Sequence, residues 1–199
     1  MLRSLTLTLV SIQLCNAGKI LNSVKKVLDF YETRPDLGKY QDGWRVLTSH
    51  KTMVLLYSLF SIDDTMGNDI TCVSMKRMRK NTQQKWVEEL VSFQRGVQTN
   101  PINITLYLGA KSHRGYKYPN IIYSLNNAGT KPYLASVAYT DYMTCALIRV
   151  LRFHNGREGC QLWADAKYVN HVPEFCHFAY SLLCGTIKYH VYDERKCKA

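Results

Sequence analysis

The sequence predicts an all-β fold, a sandwich or closed barrel of about eight antiparallel strands, with a short helix stapled to it. Three observations predict this. Short runs rich in β-branched and aromatic residues recur at regular spacing: Met53–Ile62, Ile70–Arg79, Trp86–Gln94, Ile102–Ala110, Asn120–Leu125, Tyr133–Thr140, Thr144–Phe153 and Cys160–Ala164. Turn-forming residues separate them, including Met66-Gly67-Asn68-Asp69, Asn100-Pro101 and Asn155-Gly156, the last a dipeptide that tolerates positive φ at both central positions of a tight hairpin. Five of the seven cysteines, Cys145, Cys160, Cys176, Cys184 and Cys197, fall in the C-terminal third, two of them on a stretch bounded by Pro173 and Gly185, which suit a helix start and a helix cap.

Taken in order, residues 1–17 read as a secretory leader: Arg3 gives a basic start, Leu5 to Leu14 is apolar, and Cys15-Asn16-Ala17 supplies small residues for cleavage. The apolar run is too short to span a bilayer. The domain is then expected over 18–199. Val24 to Leu37 is weakly periodic and broken by Pro35 and Gly38, an arm or frayed helix. Gln41 to Leu47 resembles one or two helical turns, with Trp44 filling apolar space. In the strands that follow, several runs are apolar on both faces, as in a barrel partly covered from outside. Tyr57, Tyr107, Tyr123, Tyr133, Tyr139 and Tyr142 either line a pocket or reflect β-propensity alone. Asn103-Ile104-Thr105 is a glycosylation sequon, usable if Asn103 faces outward.

The formal net charge is +11, of which Arg3 supplies one. The densest basic cluster, Lys76, Arg77, Arg79, Lys80 and Lys85, surrounds a predicted strand end and turn, where a solvated loop is a plainer reading than a polyanion site. Nucleic-acid and membrane partners are not expected, and the chain is expected to be a monomer. Loss of Cys15 with the leader leaves six cysteines, an even set suited to three disulfides in an oxidising compartment. There is no Cys-x-x-Cys pair, so no metal or other cofactor is expected. The six histidines are scattered, and phosphate-loop, His-Glu-x-x-His and Gly-x-Ser-x-Gly motifs are absent, which argues against an enzyme. From Leu90 to Thr140 there is no Asp or Glu, so a pocket built from the central strands is expected to lack carboxylates.

Five motifs in register with the cysteines resemble the tick salivary lipocalins of the histamine-binding family: Gln41-Asp42-Gly43-Trp44, Met66-Gly67-Asn68-Asp69-Ile70-Thr71-Cys72, Ala138-Tyr139-Thr140-Asp141, Leu162-Trp163 and Val172-Pro173. The resemblance implies an eight-stranded up-and-down antiparallel barrel with a C-terminal helix packed outside. It also implies the pairs Cys72–Cys197 and Cys145–Cys176, leaving Cys160–Cys184 as a third. Histamine binders of the family grip an amine with buried carboxylates and aromatic rings, because an ammonium taken from water needs an ion partner. Asp63 stands where one such carboxylate stands, while Met66 replaces an aromatic. Tyr123 and Trp163 match pocket aromatics, Ile121 replaces a phenylalanine, and Phe60 joins the ligand-binding set. Gln161 and Ala146 occupy acidic positions of a second amine site, and His50 lies near a third. The strand around Leu106, which should carry the other carboxylate of the tighter site, has no acid nearby.

These implications give a secreted, non-enzymatic scavenger of a small host mediator, with a biogenic amine of the histamine or serotonin type as ligand. Two alternatives stand beside it. An anionic lipid such as an eicosanoid or fatty acid would meet Arg149 or His50; a host complement or protease component would meet the basic loops.

Overall fold

Alternating side chains on extended backbone give each strand two faces, and burial of one of them selects the sheet's register. The computed structural model describes residues 34–49, 52–63, 66–113, 115–125, 133–151 and 158–197. The expected leader, most of the arm that starts at Val24, His50 and the Asn155-Gly156 turn lie outside the described residues. A 3-10 turn (Pro35–Tyr40) and helix α1 (Gly43–Ser49) precede β1 (Thr52–Ser58), then the two-residue strands β2 (Ile62–Asp63) and β3 (Gly67–Asn68). The series continues with β4 (Ile70–Asn81), β5 (Trp86–Arg95), β6 (Ile102–Lys111), β7 (Ile121–Ser124), β8 (Leu134–Thr140), β9 (Cys145–Val150) and β10 (Gly159–Asp165). Helix α2 (Glu174–Cys184) and β11 (Tyr189–His190) complete it.

Neighbouring strands pair in the order β10-β9-β8-β7-β6-β5-β4-β1, and β10 returns to β1, so eight antiparallel strands close on themselves. The fold is a barrel and not a sandwich. β11 lengthens the sheet beside β1, placing His190 opposite Tyr57. Closure leaves two apolar cores. The lumen holds Leu55, Val73, Val91, Phe93, Val137, Ile148 and Trp163. Outside the wall, Leu56, Leu147, Leu162 and Ala164 pack with Cys176 and Tyr180 of α2. That outer cover explains why β9 and β10 are apolar on both faces, whereas β5 alternates buried and half-buried positions.

Helix α1 closes one end of the barrel. Asp42 caps it by accepting the Arg45 amide at 3.0 Å, and Val46 and Leu47 enter the lumen. Gly43 makes this approach possible. Its amide donates to Pro119 O at 2.8 Å, and a Cβ there would stand 2.8 Å from the same oxygen. The fully buried Gln41 anchors the entry, donating to Ala138 O at 3.0 Å and accepting the Tyr116 hydroxyl. Pro173 precedes the first turn of α2 and Gly185, at φ 88°, follows its last. Cys72 is bonded to Cys197, Cys145 to Cys176 and Cys160 to Cys184, so both ends of α2 are tied to the wall. Asn103 is exposed on the outer face of β6, beside Ser92.

Candidate functional site

Between β1 and β4 the chain makes a small ribbon, β2 against β3, with Asp63 opposite Gly67. Gly67 has φ 90°, a left-handed conformation that suits glycine, and the Arg95 guanidinium lies 3.1 Å from where a Cβ would be. The ribbon turns Asp63 inward at the end opposite α1, where it is 8% exposed. Its Oδ1 accepts the Met66 amide at 3.0 Å, and Gln161 Nε2 lies 3.4 Å from Oδ2. The Trp163 indole N–H donates in turn to Gln161 Oε1 at 3.1 Å. An indole, a carboxamide and a carboxylate thus form one connected polar strip on the lumen wall. Tyr133 lies beside it. Its hydroxyl pKa is raised above the ordinary tyrosine value, first by burial and then by the negative charge of Asp63.

The strip borders a cavity of about 60 Å³. Val46 and Leu47 bound it at the α1 end, and Val91, Ile104, Leu106, Leu108, Ile122 and Ile148 form its aliphatic walls. Met53, Met66 and Met75 also line it, and their unbranched thioether chains can change rotamer to enlarge the space. Asp63 is the lone acid in the lining among the described residues.

Of the residues singled out in the sequence, the structure brings Asp63, Met66, Gln161 and Trp163 together on this cavity, with Ala146 nearby in its lining. Phe60 packs against the lumen core outside that lining. Tyr123 pairs across the outer face with Gly109 and lies under the Lys111 ammonium, so Ile122, the residue between Ile121 and Tyr123, points inward instead. Arg149 is corrected too. It lies on the opposite face of β9 from Ala146 and Ile148 and donates to Leu183 O at 2.8 Å, beside the C-terminal end of α2. An anionic lipid in the lumen therefore finds no partner in Arg149, and His50, the other cation suggested for it, lies outside the described residues.

Two lumen residues stand outside the ligand-binding set drawn from the sequence. Tyr133 was visible only as one strand tyrosine among several. Glu89 is 3% exposed and shares the inner face of β5 with Val87, Val91 and Phe93, directly across from Leu106 on β6. The expectation that no acid lies near Leu106 is therefore overturned. The clue was present in the period-two alternation Val87, Val91, Phe93, which puts position 89 on the same face.

Outside the barrel, the Tyr57 hydroxyl lies 2.6 Å from His177 Nδ1, and burial lowers the pKa of that histidine. A second cavity of about 300 Å³ separates the 3-10 turn and β8 from α2, edged by Tyr40, Tyr139, Phe175 and Phe178. No group of acids, histidines and cysteines among the described residues could hold a metal ion. No described helix is long and apolar enough to cross a membrane.

An eight-stranded up-and-down barrel with an apolar lumen, one helix across its end and another against its side is a lipocalin-class fold. The sequence profile of tick histamine-binding protein matches residues 31–199, and the chain belongs to that family. Solved structures agree on the fold. The serotonin complex of AM182 superposes with a TM-score of 0.55 at 13% identity, over 80% of this chain and 95% of that one. Japanin from Rhipicephalus appendiculatus, bound to cholesterol, gives 0.53 at 19% identity, over 76% and 97%. Apocrustacyanin C2 gives 0.52 at 13% identity, over 81% and 86%.

Proposed function

We propose that this protein is a secreted, non-enzymatic binder of a small cationic amine of the histamine or serotonin type, held in the lumen against Asp63. The observation that carries the reading is the polar strip. A buried carboxylate is oriented by a backbone amide and a glutamine, next to the Trp163 indole and the Tyr133 ring, in an otherwise aliphatic cavity. Such a surface supplies what an ammonium with a flat apolar body loses on leaving water: an opposite charge and ring faces. The modest volume suits an amine of that size better than a sterol or a fatty acid.

Family membership supports the ligand class, as do the serotonin in AM182 and the disulfide-tied frame suited to an oxidising compartment. The leader at 1–17, a glycan at outward-facing Asn103 and service against host inflammatory defence complete the proposal. Sequestration of this kind works by stoichiometry, so abundance and affinity would set its effect.

The test is calorimetric titration of the purified protein with histamine and serotonin. Asp63→Asn keeps the shape and removes the charge, and is expected to weaken amine binding at least tenfold, about 1.4 kcal/mol or more. Equal affinity in wild type and variant would refute the assignment.

A further inference from the structure

The end of the barrel that α1 closes carries a collar of cations. Lys80 and Lys85 flank the β4–β5 turn, Lys111 ends β6, and Lys117 sits in the loop whose Pro119 O accepts the Gly43 amide. Lys39 precedes α1 and Arg45 lies on it. Lys80 and Lys85 come from the basic run noted in the sequence, and the fold adds four more from other elements. All six are exposed, and among the described residues none is in an ion pair. The acids nearby are engaged elsewhere. Glu88 pairs with Arg79 and Asp36 with Arg34. Asp42 accepts the Arg45 amide, Asp165 accepts the Lys167 amide, and Asp141 accepts three amides of its own turn.

Aromatic rings, not carboxylates, position these cations. The Arg45 guanidinium lies 4.0 Å from the centre of the Tyr142 ring, tying α1 to the β8–β9 turn. The Lys85 ammonium lies 5.2 Å from Trp44, tying the β4–β5 turn to α1, and Lys111 lies 5.1 Å from Tyr123 on β7. Lys39 over Tyr40 and Lys117 over Tyr118 repeat the arrangement between sequence neighbours. A ring face orients a cation without neutralising it, so the charge stays available to an anion from outside. A partner that touches the β4–β5 turn and the β6–β7 loop at once must carry several negative charges along its length.

We propose that the α1 end is a docking face for a linear sulfated polysaccharide. The chemistry of the collar selects this partner. Five of the six cations are lysines, compact point charges suited to sulfates spaced along a chain, whereas bidentate phosphate recognition favours arginine forks. Single-stranded nucleic acid needs open ring faces for its bases, and here Trp44 and Tyr123 are half-buried, Tyr142 is buried, and each has a cation over one face. A helix that lies on a bilayer turns its apolar face outward, while α1 turns Val46 and Leu47 into the lumen. The collar surrounds the end opposite Asp63, so a bound chain leaves the Asp63 end uncovered. Asn103 lies near the start of β6, a strand's length from Lys111, which keeps the sequon clear of the collar. The inference stands independently of the amine reading.

The probe is heparin, and its binding to the full chain is measured by calorimetry across a salt series. The triple variant Lys85→Gln/Lys111→Gln/Lys117→Gln is compared with Lys188→Gln/Arg195→Gln/Lys196→Gln, which removes the same three charges near β11. Wild type is expected to bind heparin at physiological salt, with log affinity falling linearly in log salt as counterions are released. The collar variant is expected to bind at least about tenfold more weakly with a shallower salt slope, and the β11 variant within about twofold of wild type. Lys85→Arg/Lys111→Arg/Lys117→Arg, which keeps the charges, is expected to restore binding. No binding by wild type at physiological salt, equal losses in the two glutamine variants, or failure of the arginine variant to bind would each overturn the docking face. Tighter binding of wild type to phosphatidylserine vesicles or to single-stranded RNA than to heparin would overturn the choice of partner.

Discussion

Asp141, between β8 and β9, shows how one side chain can hold a whole turn. Its Oδ1 accepts the amides of Met143, Thr144 and Cys145 at 3.0, 2.9 and 3.0 Å, while Oδ2 takes the Thr144 hydroxyl. Within the turn Tyr142 adopts φ 62°, a conformation non-glycine residues resist. Burial raises the carboxyl pKa, but the hydrogen bonds from Thr144, Cys145 and Met143 outweigh it and hold the group below its ordinary value. A carboxyl depressed on folding adds stability that is complete above its unfolded pKa and is lost as pH falls through the folded one. Asp141→Ala is expected to cost about 2 kcal/mol at neutral pH. Urea unfolding should show the difference between wild type and variant shrinking below about pH 4. A difference independent of pH would show that packing, not charge, is the source. At this scale the sequence was readable where a residue type has a narrow physical use. Asp63, Gln161 and Trp163 were singled out and do converge. Glu89 borders an acid-free stretch, and only its place in the alternation of β5 marks it as inward-facing.

Among the elements, α1 has the least room for change. A Cβ on residue 43 would meet Pro119 O at 2.8 Å and Ile122 Cγ1 at 3.0 Å, the first of them backbone and unable to yield cheaply. Gly43→Ala therefore pushes the helix away from the lumen and with it Val46 and Leu47. Better helix propensity offsets at most about 1 kcal/mol, against an overpacking cost of roughly 1–3 kcal/mol. Thermal and urea unfolding are expected to show a net loss of about 1–2 kcal/mol, and an unchanged midpoint would show that the floor can slide freely. The eight strand runs were legible because turn residues bracket them, and turns are chemically specific. The two-residue strands β2, β3 and β11 were not, since nothing in so short a pairing leaves a periodic trace. β7 shows the same limit in another form. Ile121, Ile122 and Tyr123 are consecutive and all apolar or aromatic, so alternation could not say which faces in, and a slip of one residue reverses the assignment.

For the molecule as a whole, the three disulfides enclose very different lengths of chain. Cys72–Cys197 spans a separation of 125 residues, against 24 for Cys160–Cys184. Restricting the unfolded chain by those loops is worth about 5 and about 3.5 kcal/mol respectively in the chain-entropy account. The double variant Cys72→Ala/Cys197→Ala is thus expected to unfold at lower urea than Cys160→Ala/Cys184→Ala. The reverse order would assign the greater share of stability to the docking of α2. The barrel's closure was implied by family resemblance, since spacing alone left a sandwich equally open; only the return of β10 to β1 decides it.

The wall itself is dressed unevenly. Behind β9 and β10 lies a second apolar layer under α2, riveted at both helix ends, while among the described residues no such layer backs β5. Thermal breathing concentrates where a sheet is coated on one side alone. A guest squeezing into this vessel therefore strains the unlined stave, and Glu89 stands on it.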